Sequence, residues 1–237
     1  MNYLYYVLLA IASYLIGNIS TARIVAKCKH DDITKYGSGN PGTLNTWRAF
    51  GFWPGICTFL LDMVKGLVPT LIAFLTFGHI AGCSAEIAMY VAGFSVVLGH
   101  IFPIVFKFKG GKGIATSVGV FLVANWWVAL ICLVAMIVGM LFIKYASIFT
   151  IGFVVAMSIV ELCLCSPINW VNYIFISLIL VLVLYAHRAN IKRLLQGKEN
   201  KTELLAMIKG LGKKKEKAET KQEISVENKN TDVENKE

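Results

Sequence analysis

The 237 residues are 57% hydrophobic and only 16% charged, with a mean hydropathy of +0.65, which is too apolar for a soluble domain of this size. The formal charge of +9 does not point to nucleic acid, because the basic residues fall in short segments between apolar runs and in the C-terminal tail, where Lys and Arg mark cytoplasmic loops. Six cysteines, Cys28, Cys57, Cys83, Cys132, Cys163 and Cys165, sit mostly inside apolar runs without metal-ligand spacing and read as free, buried thiols.

The opening stretch, MNYLYYVLLAIASYLIGNIS, lacks the basic n-region and cleavage site of a signal peptide and reads as a retained first span from Tyr3 to Ile19. A polar segment from Arg23 to Gly51 carries Arg23, Lys27, Lys29, Lys35 and Arg48, so it is expected inside and the N-terminus outside. The second span is expected from Phe52 to Phe77 and the third from Ala85 to Phe106, joined by Gly78 to Ser84, which holds no Lys or Arg. Lys107 to Lys112 then lies inside again.

The apolar stretch Ile114 to Ile143 is either one long tilted helix or two spans turning near Asn125, Trp126 and Trp127. Parity decides. Two further spans, Ala146 to Leu164 and Trp170 to Tyr185, precede a basic tail, and only the two-span reading puts Lys107 to Lys112, Lys144 and that tail on one face. The expected fold is therefore an all-α polytopic membrane protein of seven transmembrane helices, N-terminus out and C-terminus in, with its polar loops on the cytoplasmic face. Asn190 to Lys209 reads as an amphipathic cytoplasmic helix with Ile191, Leu194, Leu195, Leu204, Leu205 and Ile208 as its apolar positions. Residues 210–237 are charged and of low complexity and read as a disordered tail appended to a membrane domain of residues 1–209.

Three polar clusters fall on the inner face of this topology. In Tyr36 to Arg48, Gly37, Gly39 and Gly42 permit close approach of backbone N–H groups to a ligand, and Ser38, Asn40, Thr43 and Asn45 add donors. A helix opening at Thr43 would favour an anion at its N-terminus. The cluster reads as a phosphate cradle or as a plain glycine-rich turn; it lacks the Lys-Ser/Thr ending of a P-loop. The second cluster joins His100 and Pro103 to Lys107-Phe-Lys-Gly-Gly-Lys-Gly113. Lys112 between glycines suits a backbone-plus-ammonium anion site, while Lys107 and Lys109 also serve as topology markers. His187-Arg-Ala-Asn190 forms the third, with His187 either a base, a phosphate partner or an interfacial hydrogen-bonding group. Lys144-Tyr-Ala-Ser147 adds a hydroxyl at the same level. Asp62 and Lys65 share one face of the second span, neutralise each other and read as structural. No metal constellation, redox motif or nucleotide fingerprint is present, so no cofactor or metal is expected.

The strings GSGNPGTLNTWRAFG (37–51), GHIFPIVFKFKGGKGIATSVG (99–119) and HRANIKRLLQGKENK (187–201), with LDMVKG (61–66), resemble the acyl-phosphate:glycerol-3-phosphate acyltransferases of bacterial inner membranes. The resemblance covers residues 1–201 in order and departs at Pro41, Leu44 and Lys144. It implies transfer of a fatty acyl group from acyl phosphate to the 1-hydroxyl of glycerol 3-phosphate, giving lysophosphatidate and inorganic phosphate in phospholipid synthesis. It also implies a link to a soluble enzyme that makes acyl phosphate. By the same resemblance Ser38, Arg48, Lys112, Ser147, His187 and Asn190 would be catalytic. Gly37, Gly39, Asn40, Gly42, Thr43, Asn45, His100, Lys109, Gly110, Gly111, Gly113 and Thr116 would bind substrate, with His100 ordering the second loop. The rival reading is a transporter of a phosphorylated metabolite; against it, the polar residues gather on one face rather than at the midplane.

Overall fold

A computed structural model describes residues 2–164 and 169–202, and these are helical, with no strand among them. In lipid a backbone must satisfy its own polar groups, which leaves apolar runs of this length the helix as their form. The elements are α1 (Asn2–Gly17), α2 (Thr21–Cys28), α3 (Thr43–Phe50), α4 (Phe52–Phe77), α5 (Ala85–Ile101), α6 (Ile114–Ala124), α7 (Trp126–Phe142), α8 (Ala146–Leu164), α9 (Trp170–Ala186) and α10 (Arg188–Leu195). Among the described residues four stretches are long and apolar enough to cross a bilayer: Tyr3–Cys28, Phe52–Phe77, Ala85–Phe106 and Ala146–Cys163. α9 and α10, bent by 60° from each other, are long and apolar enough only when taken together, and α6 and α7 are shorter apolar helices. The chain is thus a multi-pass membrane protein.

The expected turn in the long apolar stretch falls at Asn125, whose φ of −154° and ψ of 80° leave the helical region. Its N–H closes α6 on Phe121 and its carbonyl accepts the Ala129 N–H at 2.9 Å to open α7. The third apolar run stops being α-helical at Ile101, and the chain passes through Pro103 into a 3-10 turn, Ile104–Phe106.

Helices approach where a residue has no side chain. α1 lies along α5 and α4 along α6. A Cβ on Gly99 would overlap the Tyr14 carbonyl, one on Gly66 the Thr116 carbonyl and one on Gly119 the Met63 carbonyl. Small residues permit such backbone contact in lipid, where packing rather than hydrophobicity drives association. Asp62 accepts from Lys65 Nζ at 2.8 Å and Thr21 Oγ1 at 2.9 Å, and Lys65 Nζ donates to the Ile19 carbonyl at 2.6 Å. The buried pair pins α4 to the joint between α1 and α2.

Two expectations are corrected. The five described cysteines are free but not core thiols: Cys28, Cys57 and Cys163 are exposed and Cys83 and Cys132 half-buried. Cys57, Cys132 and Cys163 lie on long apolar helices, whose outward positions meet lipid, so an apolar thiol gains nothing from the core there; Cys28 ends α2 and Cys83 lies in the loop before α5, and Cys165 lies outside the described residues. The amphipathic segment is not one helix over Asn190 to Lys209. It ends at Leu195 because Gly197 takes φ 66°, with Lys198 N–H bonded to the Arg193 carbonyl at 2.8 Å and Gly197 N–H to that of Leu194 at 3.0 Å, a Schellman cap. Leu204, Leu205 and Ile208 and the 210–237 tail lie outside the described residues.

Candidate active site

Gly37 and Gly39 hold positive φ, 52° and 68°, and fold the first loop back on itself. Asn45 locks it: its Nδ2 donates to the Tyr36 and Ile33 carbonyls at 2.9 and 3.2 Å, and its Oδ1 accepts the Ser38 N–H at 3.3 Å. The loop ends at Gly42, which caps α3 without any side-chain acceptor, so first-turn N–H groups stay available beside Thr43 and Leu44. The second loop is held from below. Gly110 and Gly111 N–H groups bond to the Ile101 and His100 carbonyls at 3.1 Å each, and a Cβ on Gly111 would overlap the His100 ring. His100 Nδ1 in turn lies 3.9 Å from Asp62 Oδ1. This loop delivers Lys112 and ends at Gly113, which opens α6 at φ 83°, again with no side-chain cap.

Both glycine-capped helix starts line one cavity of about 170 Å³. Ser38, Asn40, Arg48, His100, Lys112, Ser147, His187 and Asn190 share its wall, while Phe59, Ile114, Met136 and Met140 form an apolar side. Gly39, Lys109, Gly110 and Gly111 instead line an adjoining basin. Gly37 and Thr116 line neither; Gly37 backs Asn45, and the Thr116 backbone packs on Gly66.

Sequence reading missed Glu199. The Schellman turn brings it back over α10, buried, where Oε1 accepts from Ser147 Oγ at 2.6 Å and Asn190 Nδ2 at 2.7 Å, and Oε2 from Arg193 Nε at 2.9 Å. Asn190 Nδ2 also donates to Ser147 Oγ at 2.8 Å. Thr202 closes the segment, its hydroxyl taking Arg48 Nη2 at 2.5 Å and its N–H reaching the Lys144 carbonyl at 2.6 Å. The only signal for Glu199 was its place inside the third string, in a Lys- and Glu-rich run that looks solvated.

Burial raises the Glu199 pKa, but hydrogen bonds from Ser147, Asn190 and Arg193 outweigh it and hold the carboxyl below its ordinary value. The group is an anion at neutral pH. Burial pushes Lys112 down to about 8, with Glu199 resisting and Arg193 and Arg48 assisting. Burial and the Lys112 charge push His187 down to about 4, so its ring is neutral. Nδ1 donates to the Val183 carbonyl at 2.9 Å, which leaves Nε2 as the acceptor nitrogen.

A pH dependence follows. Lys112 is charged below pH 8 and loses its proton above it, so kcat/KM for a phosphorylated substrate, which reports the free enzyme, should be flat near pH 7 and fall about ten-fold per unit above about pH 8. Lys112→Arg should remove that limb; a limb that persists in an active Arg variant places it elsewhere.

Residues 7–197 match the family described as Glycerol-3-phosphate acyltransferase. The chain is 39% identical over 202 residues to the glycerol-3-phosphate acyltransferase of Finegoldia magna, covering 85% of this chain and 98% of that one. It is 41% identical over 203 residues to that of Clostridioides difficile, covering 83% and 95%. Its fold is similar to the crystal structure of PlsY (YgiH), an integral membrane glycerol 3-phosphate acyltransferase, in the glycerol 3-phosphate form, with a TM-score of 0.76 and 33% identity over 86% of this chain and 98% of that one. The lysophosphatidic acid form of the same protein aligns with a TM-score of 0.74.

Proposed function

Since this chain belongs to the glycerol-3-phosphate acyltransferase family, we propose that it transfers a fatty acyl group from acyl phosphate to the 1-hydroxyl of glycerol 3-phosphate, releasing lysophosphatidate and inorganic phosphate. The observation that carries this is the cavity itself: two uncapped helix starts, Arg48 and Lys112 meet on one side, and an apolar wall faces them. Such a site suits two phosphates and one acyl chain. Ser38, Arg48, Lys112, Ser147, His187 and Asn190 are the side chains placed to hold the phosphates. Ser147 and Asn190 do so from a network already ordered by Glu199.

The acceptor oxygen attacks the acyl carbonyl carbon, a new C–O bond forms, and the bond from that carbon to the bridging phosphate oxygen breaks. The hydroxyl proton passes to an oxygen of the departing phosphate. An acyl phosphate is already activated, so the protein's part is alignment and neutralisation of the leaving charge. A His187 held near pKa 4 is a poor acceptor for an alcohol proton, which favours the route without a protein base. His187→Ala should therefore lower kcat about ten- to hundred-fold, less than the roughly 10²- to 10⁴-fold typical of a general acid–base residue, and leave turnover measurable. Complete loss with glycerol 3-phosphate binding intact would sink the base-free route.

The topology that accompanies this reading has seven spans in the bacterial inner membrane, N-terminus out and C-terminus in, with the cavity facing the cytoplasm. Its support is the gathering of Lys107, Lys109, Lys112, Arg188 and Arg193 at the cavity end of the bundle. Residues 1–209 carry the activity, the charged tail does not, and a soluble enzyme making acyl phosphate supplies the donor. Labelled glycerol 3-phosphate given to proteoliposomes with palmitoyl phosphate should appear as lysophosphatidate in the lipid. Label that crosses the bilayer unchanged, with no lipid product, would identify a transporter instead.

A further inference from the structure

The wall of the catalytic cavity carries two carboxylates, Asp62 and Glu199, beside the cations Arg48, Lys112 and Arg193. Glu199 is spent on the protein: Ser147 Oγ, Asn190 Nδ2 and Arg193 Nε already donate to its two oxygens. Asp62 differs. Lys65 Nζ at 2.8 Å, Thr21 Oγ1 at 2.9 Å and His100 Nδ1 at 3.9 Å all approach one oxygen, Oδ1. Among the described residues no donor is bonded to Oδ2, and a buried carboxylate oxygen left without a donor costs free energy. The pair is also electrically suited to a phosphate site. Lys65 is itself held by the Ile19 carbonyl at 2.6 Å and cancels the Asp62 charge, so the cavity gains a strong acceptor without a net negative charge that would repel an anion.

We infer that Asp62 accepts a hydrogen bond from the 2-hydroxyl of glycerol 3-phosphate and so sets the choice of acyl acceptor. The inference rests on the proposed acyl transfer. Of the two substrates only the glycerol carries hydroxyl donors. Its 1-hydroxyl gives up its proton to the departing phosphate and its own phosphate takes the cations and helix starts, which leaves the 2-hydroxyl in need of an acceptor. His187 Nε2 is a neutral acceptor on the same wall, but an ionised one makes the stronger hydrogen bond. With Oδ1 fastened by Thr21 and Lys65, the carboxylate cannot turn away. A fixed acceptor of this kind rejects an analogue that lacks the hydroxyl, because the buried oxygen is then left unpaired; an apolar wall has no such power. The ion pair inside α4 therefore has a second role besides pinning that helix to the joint between α1 and α2, and Asp62 is a specificity-determining residue.

The test gives labelled palmitoyl phosphate to the full-length protein in phosphatidylcholine nanodiscs, with either glycerol 3-phosphate or 3-hydroxypropyl phosphate as acceptor. The second keeps the phosphate and the reacting primary hydroxyl and lacks the 2-hydroxyl. Wild type should favour glycerol 3-phosphate by at least about a hundred-fold in kcat/KM. Asp62→Leu/Lys65→Met, which replaces the buried pair by apolar side chains of similar volume, should narrow that preference to within about ten-fold, because glycerol 3-phosphate loses more than the analogue. General damage to the fold would lower both substrates alike and leave the ratio where it was. If the double variant does not fold, Thr21→Val, which keeps the ion pair and frees the carboxylate to turn, should narrow the preference about three-fold or more. A wild type that uses both acceptors equally well, or a folded variant of either kind that keeps the full preference, overturns the inference. A wild type that makes no acylated product from glycerol 3-phosphate refutes the acyl-transfer reading instead.

Discussion

Lys112→Ala is expected to lower kcat/KM by about a thousand-fold or more while the protein still folds. The ammonium lines the same cavity as the two glycine-capped helix starts, and the proposed transfer builds up charge in that cavity as the acyl–phosphate bond breaks. Removing one preorganised donor at such a point costs on the order of 10² to 10³ in kcat, and loss of ground-state attraction for a phosphate adds to it. The folded state should not suffer, because the Lys112 charge is held there against burial and its removal relieves that cost. Steady-state kinetics with a thermal melt alongside checks both halves. A loss below ten-fold in a folded variant would place the ammonium away from the reacting phosphate.

The second large effect is structural. Gly119→Val should leave little folded protein, or a Tm lowered by at least about 6 °C, because overpacking costs on the order of 1–3 kcal/mol even where side chains give way. Here a Cβ meets the Met63 carbonyl and Leu67 nitrogen, backbone atoms that cannot move without parting α4 from α6. The damage should reach the site, since α6 follows directly on Gly113 and α4 holds Asp62 and Phe59 on the cavity wall. Gly152→Ala supplies the control. Nothing stands within 4 Å of that Cβ, so its Tm should not fall, and the better helix propensity of Ala should raise it by at most about 4 °C. Equal damage from both variants would contradict the close α4–α6 contact.

Features set by hydropathy alone were legible in the sequence. α4 spans Phe52–Phe77 and α8 spans Ala146–Leu164, as their apolar runs predict, α3 opens at Thr43, and the break at Asn125 follows from a polar, aromatic triplet inside 30 apolar residues. Motif residues also converge, because loops at one end of a bundle have few places to go. The misses share a physical cause. Hydropathy does not tell a methionine facing lipid from Met136 or Met140 facing the cavity, and it buries cysteines that lipid accommodates at the surface. Nor does it show that Gly197 reverses the chain and lays Glu199 on Ser147, Asn190 and Arg193. Asn45 marks a subtler limit. An amide beside a glycine-rich loop suggests a phosphate donor, yet its groups are spent on the loop's own backbone.

The donor is the central claim. Purified protein in detergent, given labelled glycerol 3-phosphate with palmitoyl phosphate, palmitoyl-CoA or palmitoyl-carrier protein in parallel, should form labelled lysophosphatidate from the acyl phosphate alone. Equal or faster product from either thioester would contradict a cavity built around two phosphates.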